Sequence, residues 1–189
     1  GSPLMELFTR GAVLCNNASL SAAGKVTGDP TEAALLALAA KAGKNWQEAR
    51  AAAPRRKAFP FESVRKRMSV IHTSPQGRLH CWVKGAPDTL IPLCRTVTDW
   101  DGQERPLTTQ DRAGLIQVMN DLAQKGLRLL ALAWKETDSP EMSQAQTESG
   151  LSFLGIAGMM DPPRREVPGA IEKCQRAGVL VVMITGCYS

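Results

Sequence analysis

Two strand-like segments, separated by a four-residue turn signal, limit the folds open to this chain. Residues 67–73 and 78–84 flank Ser74-Pro75-Gln76-Gly77, whose proline and glycine favour a turn. In the second segment apolar residues alternate with polar or larger ones, which is typical of a strand with one buried face. The pattern predicts a β-hairpin, and therefore an antiparallel sheet.

A helix-start signal precedes this hairpin. Asp29 can act as the N-cap, Pro30 suits the first helical position, and Glu32 stands where it would complete a capping box. The Ala/Leu-rich run that follows reaches Ala42, and Gly43 ends it. These residues predict a helix with a buried face.

A second capped helix is predicted after the hairpin. Thr108 and Asp111 resemble a capping box, and Gly126 stops the helix. Apolar residues of this helix are predicted to share one face: Leu115, Ile116, Met119, Leu122 and Ala123. The apolar run 127–134 predicts a buried strand, and the polar segment 136–150 predicts a loop.

The last forty residues predict a different fold type. A strand at 153–158, a helix around 167–174 and a strand at 179–185 would form a β-α-β unit, which is typical of a parallel sheet. We therefore expect a domain boundary near Met159, with one domain at 3–159 and a partial one at 160–186.

Composition excludes some classes of protein but leaves several ligands open. No apolar run approaches the ~20 residues of a membrane helix. The five cysteines are scattered without a C-x-x-C pair, which predicts neither zinc nor disulfides and fits a reducing cytosol. The formal charge of +5 fits nucleic acid, an anionic membrane surface or a polyanion such as ATP. Gly1-Ser2 is typical of a cloning remnant.

Several residues permit an ordinary structural interpretation beside a functional one. Phe61 could be a core residue, and Glu32 could be a cap partner alone. Lys66 lies in a basic run, and such runs are usually solvated. Arg128 is harder to explain structurally, because a guanidinium in a buried strand needs an anion. Neither the P-loop motif G-x-x-x-x-G-K-[ST] nor the Rossmann motif G-x-G-x-x-G occurs, so neither of these nucleotide sites is predicted.

A series of short motifs matches, in chain order, the nucleotide-binding (N) domain of P-type ATPases. The chain resembles the type II cation-pump group, which includes the sarcoplasmic-reticulum calcium pump and its bacterial relatives. The matching motifs are Cys15-Asn16, Gly28-Asp29-Pro30-Thr31-Glu32, Phe61 with Lys66-Arg67-Met68-Ser69-Val70, Lys84-Gly85-Ala86-Pro87, Gly126-Leu127-Arg128, Asp161-Pro162-Pro163-Arg164-Arg165-Glu166-Val167 and Ile184-Thr185-Gly186.

The resemblance implies an α/β fold, a mostly antiparallel sheet flanked by helices, with a short β-α-β piece of a Rossmann-like phosphorylation (P) domain after it. It also implies an ATP site. In that site adenine stacks on Phe61 near Lys84, Gly85 and Ala86 line the pocket, Glu32 faces the adenine amino group, and Lys66 and Arg128 steer the phosphates.

The P-domain piece would contribute Asp161, Arg164, Thr185 and Gly186. The family's Asp-Lys-Thr-Gly-Thr phosphorylation motif is absent, and Cys187 stands where the family has a magnesium-associated aspartate. We therefore expect no catalytic residue and no metal ligand here, with the magnesium site mostly outside the chain. Residues 187–189 are expected not to be native sequence.

The implied parent is an enzyme of the cell's inner or plasma membrane that drives cation transport through an aspartyl-phosphate intermediate. This chain would be a cytoplasmic, monomeric ATP-binding domain, inactive alone, with the P, A and membrane domains of its own parent as partners. Ser63 replaces a family arginine, and Arg65 is a candidate substitute. The rival hypotheses are a basic nucleic-acid-binding module, carried by clusters 55–57 and 65–67, and a soluble phosphatase, which would need a D-x-D or D-K-T-G nucleophile.

Overall fold

The computed structural model describes residues 1–21, 26–160 and 166–182. The chain divides into two compact units, Gly1–Met159 and Met160–Ser189. The strands in the described residues all belong to the first unit. They are β1 Ser19–Leu20, β2 Val26–Thr27, β3 Arg55–Glu62, β4 Arg67–Thr73, β5 Leu79–Gly85, β6 Cys94–Thr98, β7 Glu104–Pro106, β8 Arg128–Thr137 and β9 Leu151–Met159.

Among the described residues, the first unit also has six helices and the second unit has one. A 3-10 turn, Ile91–Leu93, follows the fourth helix. The helices are α1 Pro3–Leu14, α2 Pro30–Lys41, α3 Trp46–Ala52, α4 Pro87–Leu90, α5 Thr109–Gln124, α6 Gln144–Thr147 and α7 Val167–Arg176.

Seven strands form one sheet in the order β3-β4-β5-β8-β9-β6-β7, while β1 and β2 pair separately. Neighbours in the large sheet are antiparallel, with the exception of β6 beside β9. The predicted hairpin is confirmed, because β4 pairs with β5 from Arg67 opposite Gly85 to Thr73 opposite Leu79. The fold class is a mixed α/β fold with a large, mostly antiparallel sheet flanked by helices, as predicted.

The alternation along β5 divides the core between the two faces of the sheet. Trp82 belongs to the core that α1 and α2 cover, whereas Cys81 and Val83 belong to the core on the other face. Close packing of α1 on the sheet requires Gly11, since a Cβ there would lie 2.9 Å from the Trp82 ring. Lys84 follows Val83, so its side chain lies on the face that carries Trp82.

The helix predicted after Thr108 is α5, and its capping box with Asp111 is confirmed. Leu115 and Met119 pack against the second core. Ile116, predicted on the same apolar face, is instead 56% exposed. A helix that covers the edge of a core needs only a narrow apolar stripe, which excludes Ile116.

The predicted β-α-β unit is not formed in the part of the chain that the structure describes. The strand predicted at 153–158 is β9, which pairs with β8 and β6 inside the first unit. Its two edges are therefore already occupied, and it cannot begin a separate parallel sheet. Helix α7 is present, but residues 179–182 form no strand. Residues 183–185 lie outside the described ranges.

Candidate functional site

Five strand ends lie at one end of the large sheet. Strands β3, β5 and β9 finish there, and β4 and β8 begin there. The register aligns Glu62 with Arg67, Arg67 with Gly85, and Gly85 with Ala131, so these residues form one row across the sheet. The residues of the implied ATP site lie on or beside this row, together with the first turn of α2.

A buried ion pair joins two of the predicted site residues. The Lys84 ammonium donates to the Glu32 carboxylate, and the two side chains are 6% and 14% exposed. The second carboxylate oxygen of Glu32 accepts from the main-chain N–H of Asn17 at 3.0 Å. The pair therefore has a fixed position against the sheet.

The capping-box prediction for Glu32 is wrong, although the helix start is confirmed. Asp29 caps α2 by accepting from the N–H groups of Thr31 and Glu32. The Glu32 carboxylate does not complete the box, because it binds Lys84 and Asn17. A hydrogen bond from a buried ammonium is stronger than one from a neutral main-chain amide.

The loop after α1 holds Glu32 from the other side. Asn16 is buried, and its side-chain amide donates to the Glu32 carbonyl at 2.8 Å. Arg50 and Arg55 both donate to the Asn16 carbonyl at 2.9 Å. Arg55 is therefore an exposed residue whose guanidinium is nevertheless bound to this loop. The Cys15-Asn16 motif was the sequence signal for this loop, but its role depends on contacts distant in sequence.

Phe61 is 61% exposed, so its interpretation as a core residue is wrong. It lies on the edge strand β3, immediately before Glu62 in the row of strand ends. Lys84 lies two strands away and pairs directly with Met68 on the intervening strand. At the usual spacing of neighbouring strands, the β3 and β5 backbones are about 10 Å apart.

Two cations lie near solvent at the same end of the sheet. Lys66 occupies the turn between β3 and β4, and its ammonium is 3.9 Å from the Asp88 carboxylate. Arg128 is exposed and donates to the Thr31 hydroxyl at 2.9 Å. The prediction of a buried Arg128 guanidinium is wrong, because the residue begins β8 instead of lying within it.

Gly85 allows the Lys66 turn to pack directly on β5. A Cβ at Gly85 would lie 2.5 Å from the Arg67 Cβ and 2.7 Å from the Lys66 carbonyl oxygen. The next residue, Ala86, donates its N–H to that same carbonyl at 3.0 Å. The Lys66 turn is therefore packed directly against Gly85 and Ala86.

Arg65, the candidate substitute for the arginine that is absent at Ser63, is committed to other contacts. Its side chain is 14% exposed and forms ion pairs with Glu62 and Glu148. The guanidinium is thus already held by the protein. Glu148 was not identified from the sequence, since it lies in a segment predicted to be a polar loop.

The remaining sequence-based predictions concern residues of the second unit and metal binding. Asp161, Arg164, Thr185 and Gly186 lie outside the described residues. Within the described ranges, no group of three or more His, Cys, Asp or Glu side chains is arranged to hold a metal ion. No helix in those ranges is long and apolar enough to cross a membrane.

Cys15 is buried and forms no disulfide, and burial raises the pKa of its thiol to about 11.

Stability is expected to decrease as the pH falls from 7 to 5. Burial lowers the pKa of His72 below its ordinary 6.5, and the charges of Arg55 and Arg50 act in the same direction, whereas the contacts of the ring with the Ala53 and Leu14 carbonyls act in the opposite direction and only partly offset it. Burial also lowers the pKa of His80. The unfolded chain therefore binds more protons than the folded chain in this range. The free energy of unfolding decreases as the pH is lowered, by at most about 1.4 kcal/mol per pH unit for each histidine.

Urea unfolding at pH 7, 6 and 5 would measure this dependence, and His72→Gln should reduce its slope. His80→Gln separates the contribution of the second histidine. A parent protein equally stable at pH 5 and 7 would contradict the expectation.

Comparison with known proteins defines the family. The family described as P-type ATPase, cytoplasmic domain N, matches residues 4–166. A cation-transporting ATPase of Synechocystis sp. is 40% identical over 190 residues, which cover 97% of this chain and 20% of that protein. Calcium-transporting ATPases of Listeria monocytogenes and Lactococcus lactis are each 37% identical, over 93% and 96% of this chain and 20% of each relative.

This chain belongs to the P-type ATPase N-domain family. The family model covers most of its length, and the fold is the mixed α/β arrangement that the resemblance implied. The chain spans about a fifth of the length of these relatives, since the aligned parts are 20% of each.

Proposed function

We propose that this chain is the ATP-binding domain of a cation-transporting P-type ATPase. One observation carries the proposal: the exposed Phe61 ring lies at the same end of the sheet as the buried Glu32–Lys84 pair and two accessible cations. ATP needs this combination of groups, because it joins a flat aromatic base to a polyanionic chain.

Each part of the site has a separate task. The Phe61 face stacks with adenine, and the Glu32 carboxylate accepts a hydrogen bond from the adenine amino group. Lys84 fixes that carboxylate and adds positive charge beside the base. Gly85 and Ala86 line the pocket, and Lys66 and Arg128 attract the phosphates.

In the parent enzyme the domain would present the γ-phosphate of ATP to an aspartate outside this chain. Positioning of the two reactants supplies much of the catalysis in phosphoryl transfer, so a separate binding domain is chemically reasonable. Mg²⁺ would bind mostly outside this chain. We assign residues 3–159 to the N domain and 160–186 to a piece of the P domain. The P, A and membrane domains of the same parent are the proposed partners, on the cytoplasmic side of a membrane.

The contacts of the basic residues argue against a nucleic-acid-binding module. Arg55 donates to the loop after α1, and Arg65 and Arg67 both bind Glu148. These guanidinium groups are held by the protein itself, so the basic clusters offer fewer free cations to a phosphate backbone than the sequence suggested.

Phe61→Leu should weaken the binding of ATP, ADP and adenosine. The substitution keeps most of the apolar volume but removes the aromatic face, at a cost of about 1–3 kcal/mol, or roughly 5- to 150-fold in Kd. The three ligands should lose affinity equally, because all three carry the base. Calorimetric titration measures the affinities, and thermal unfolding measured in parallel checks the folded state.

Trp100→Leu is the matched control, because Trp100 is an aromatic residue that is 64% exposed elsewhere on the surface. It should bind ATP as the parent does. If Phe61→Leu also binds ATP as tightly as the unmutated chain, the stacking assignment is wrong. Retention of an oligonucleotide at moderate salt without ATP binding would favour the nucleic-acid hypothesis instead.

A further inference from the structure

A buried carboxylate lies beneath the turn that carries Phe61 and Lys66. The Glu148 side chain is 3% exposed and accepts hydrogen bonds from three side chains. One oxygen binds Arg65 and the Ser69 hydroxyl, the latter at 2.8 Å. The other binds the Arg67 Nε at 2.6 Å. A carboxylate buried between two arginines has a well-defined position.

Arg65 links Glu148 to the residues on both sides of Phe61 by hydrogen bonds. One terminal nitrogen of its guanidinium donates to the Pro60 carbonyl at 2.6 Å. Its Nε donates to the Glu62 carboxylate at 3.0 Å. The main chain before Phe61 and the side chain after it are thus bound to the same guanidinium group, and that group is bound to Glu148.

The turn itself has an unusual backbone conformation. Lys66 has a φ of 51°, in the left-handed region that side chains other than glycine seldom adopt. The Lys66 N–H donates to the Glu62 carbonyl at 2.7 Å, and Arg67 donates to the Arg65 carbonyl at 3.0 Å. Such a conformation persists only where the surrounding contacts hold it.

We propose that Glu148 is a positioning residue for the ATP site. By fixing Arg65 and Arg67, it holds the turn of residues 60–66 so that the Phe61 ring can stack on adenine. It touches no ligand itself. This inference rests on the proposed function, because it assumes that Phe61 is the stacking residue.

A double-mutant cycle between Glu148→Gln and Phe61→Leu tests the inference. Glutamine keeps the shape of the side chain but removes the charge that holds both arginines. In the otherwise unmutated chain, Glu148→Gln should raise the Kd for ATP of the folded protein by about 3- to 30-fold. This is part of the loss expected when the stacking contact is removed completely. In the Phe61→Leu background it should change the Kd by no more than about twofold, since the ring that it positions is gone.

Arg65→Lys provides a second route if Glu148→Gln unfolds. Lysine keeps a cation for Glu148 but lacks the planar fork that reaches several acceptors at once. Arg112→Lys is the matched control, because Arg112 also ties two main-chain carbonyls together but does so beside α4. It should change stability without changing the affinity for ATP.

The outcomes separate the inference from the proposed function. An unchanged Kd in folded Glu148→Gln, or equal losses in both backgrounds, would overturn the positioning role while the ATP site stands. If Phe61→Leu alone leaves the Kd unchanged, the proposed site is wrong, and the inference is overturned with it.

Discussion

Lys84→Ala should reduce the free energy of unfolding by about 3–5 kcal/mol, because it leaves the Glu32 carboxylate in a buried position without its cation. The side chains of the pair are 6% and 14% exposed, so water can replace the lost ammonium only in part. The affinity for ATP should also fall, since Glu32 loses its fixed position and the pocket loses a charge. Urea unfolding and calorimetric titration measure the two effects separately.

Two comparisons isolate the buried charge as the cause. Lys84→Met combined with Glu32→Gln removes both charges and should recover much of the lost stability. Lys44→Ala breaks the pair with Glu6, whose side chains are 42% and 60% exposed, and should change stability little. If Lys84→Ala were as stable as Lys44→Ala, the ion pair would not be the fixed element that we describe.

Gly85→Ala should reduce the free energy of unfolding by about 1–3 kcal/mol, or more if the sheet end cannot relax. The added Cβ would meet the Arg67 Cβ at 2.5 Å and the Lys66 carbonyl at 2.7 Å, and main-chain atoms cannot move as easily as the end of a side chain. Displacement of the Lys66 turn should also weaken ATP binding. Thermal unfolding and ATP titration measure both effects.

Gly114→Ala serves as the control for Gly85→Ala. Gly114 lies within α5, and a Cβ there would meet nothing within 4 Å. Because alanine favours a helix over glycine by about 1 kcal/mol, this variant should be slightly more stable than the parent. A Gly85→Ala protein as stable as the parent would show that the close contact of β4 and β5 is not needed.

The parts of the fold that could be predicted from sequence have strong local signals. The hairpin has a proline–glycine turn and alternation in its second strand, and α2 has its cap residue and first-turn proline. Strand β3 was not predicted, because Arg55-Arg56-Lys57 and Pro60 are unlike a buried strand. It lies at the edge of the sheet, where such residues are tolerated. The β-α-β prediction failed because a local pattern cannot show that β9 pairs with β8 and β6.

The candidate site divides in the same way. Glu32, Phe61 and Lys84 were found through short motifs that match a family, and the structure places them at one end of the sheet. Glu148 and Asn17 were missed, since their roles depend on contacts with residues far away in sequence. The burial of Arg128 was misjudged because a run of apolar residues does not show which residue is the first of the strand. Arg128 is that first residue, and it therefore lies at the exposed end of the sheet.

The central claim is that adenine binds on the Phe61 face beside Lys84, and NMR can test it directly with ATP added to the isotopically labelled chain. We expect nuclear Overhauser effects between the adenine protons and the Phe61 ring, with amide shift changes at Gly85 and Ala86. Adenosine should produce the same effects on Phe61, because the contact belongs to the base. ATP that binds without any contact to Phe61, and with its largest shift changes around His80 and Trp82 instead, would contradict the claim.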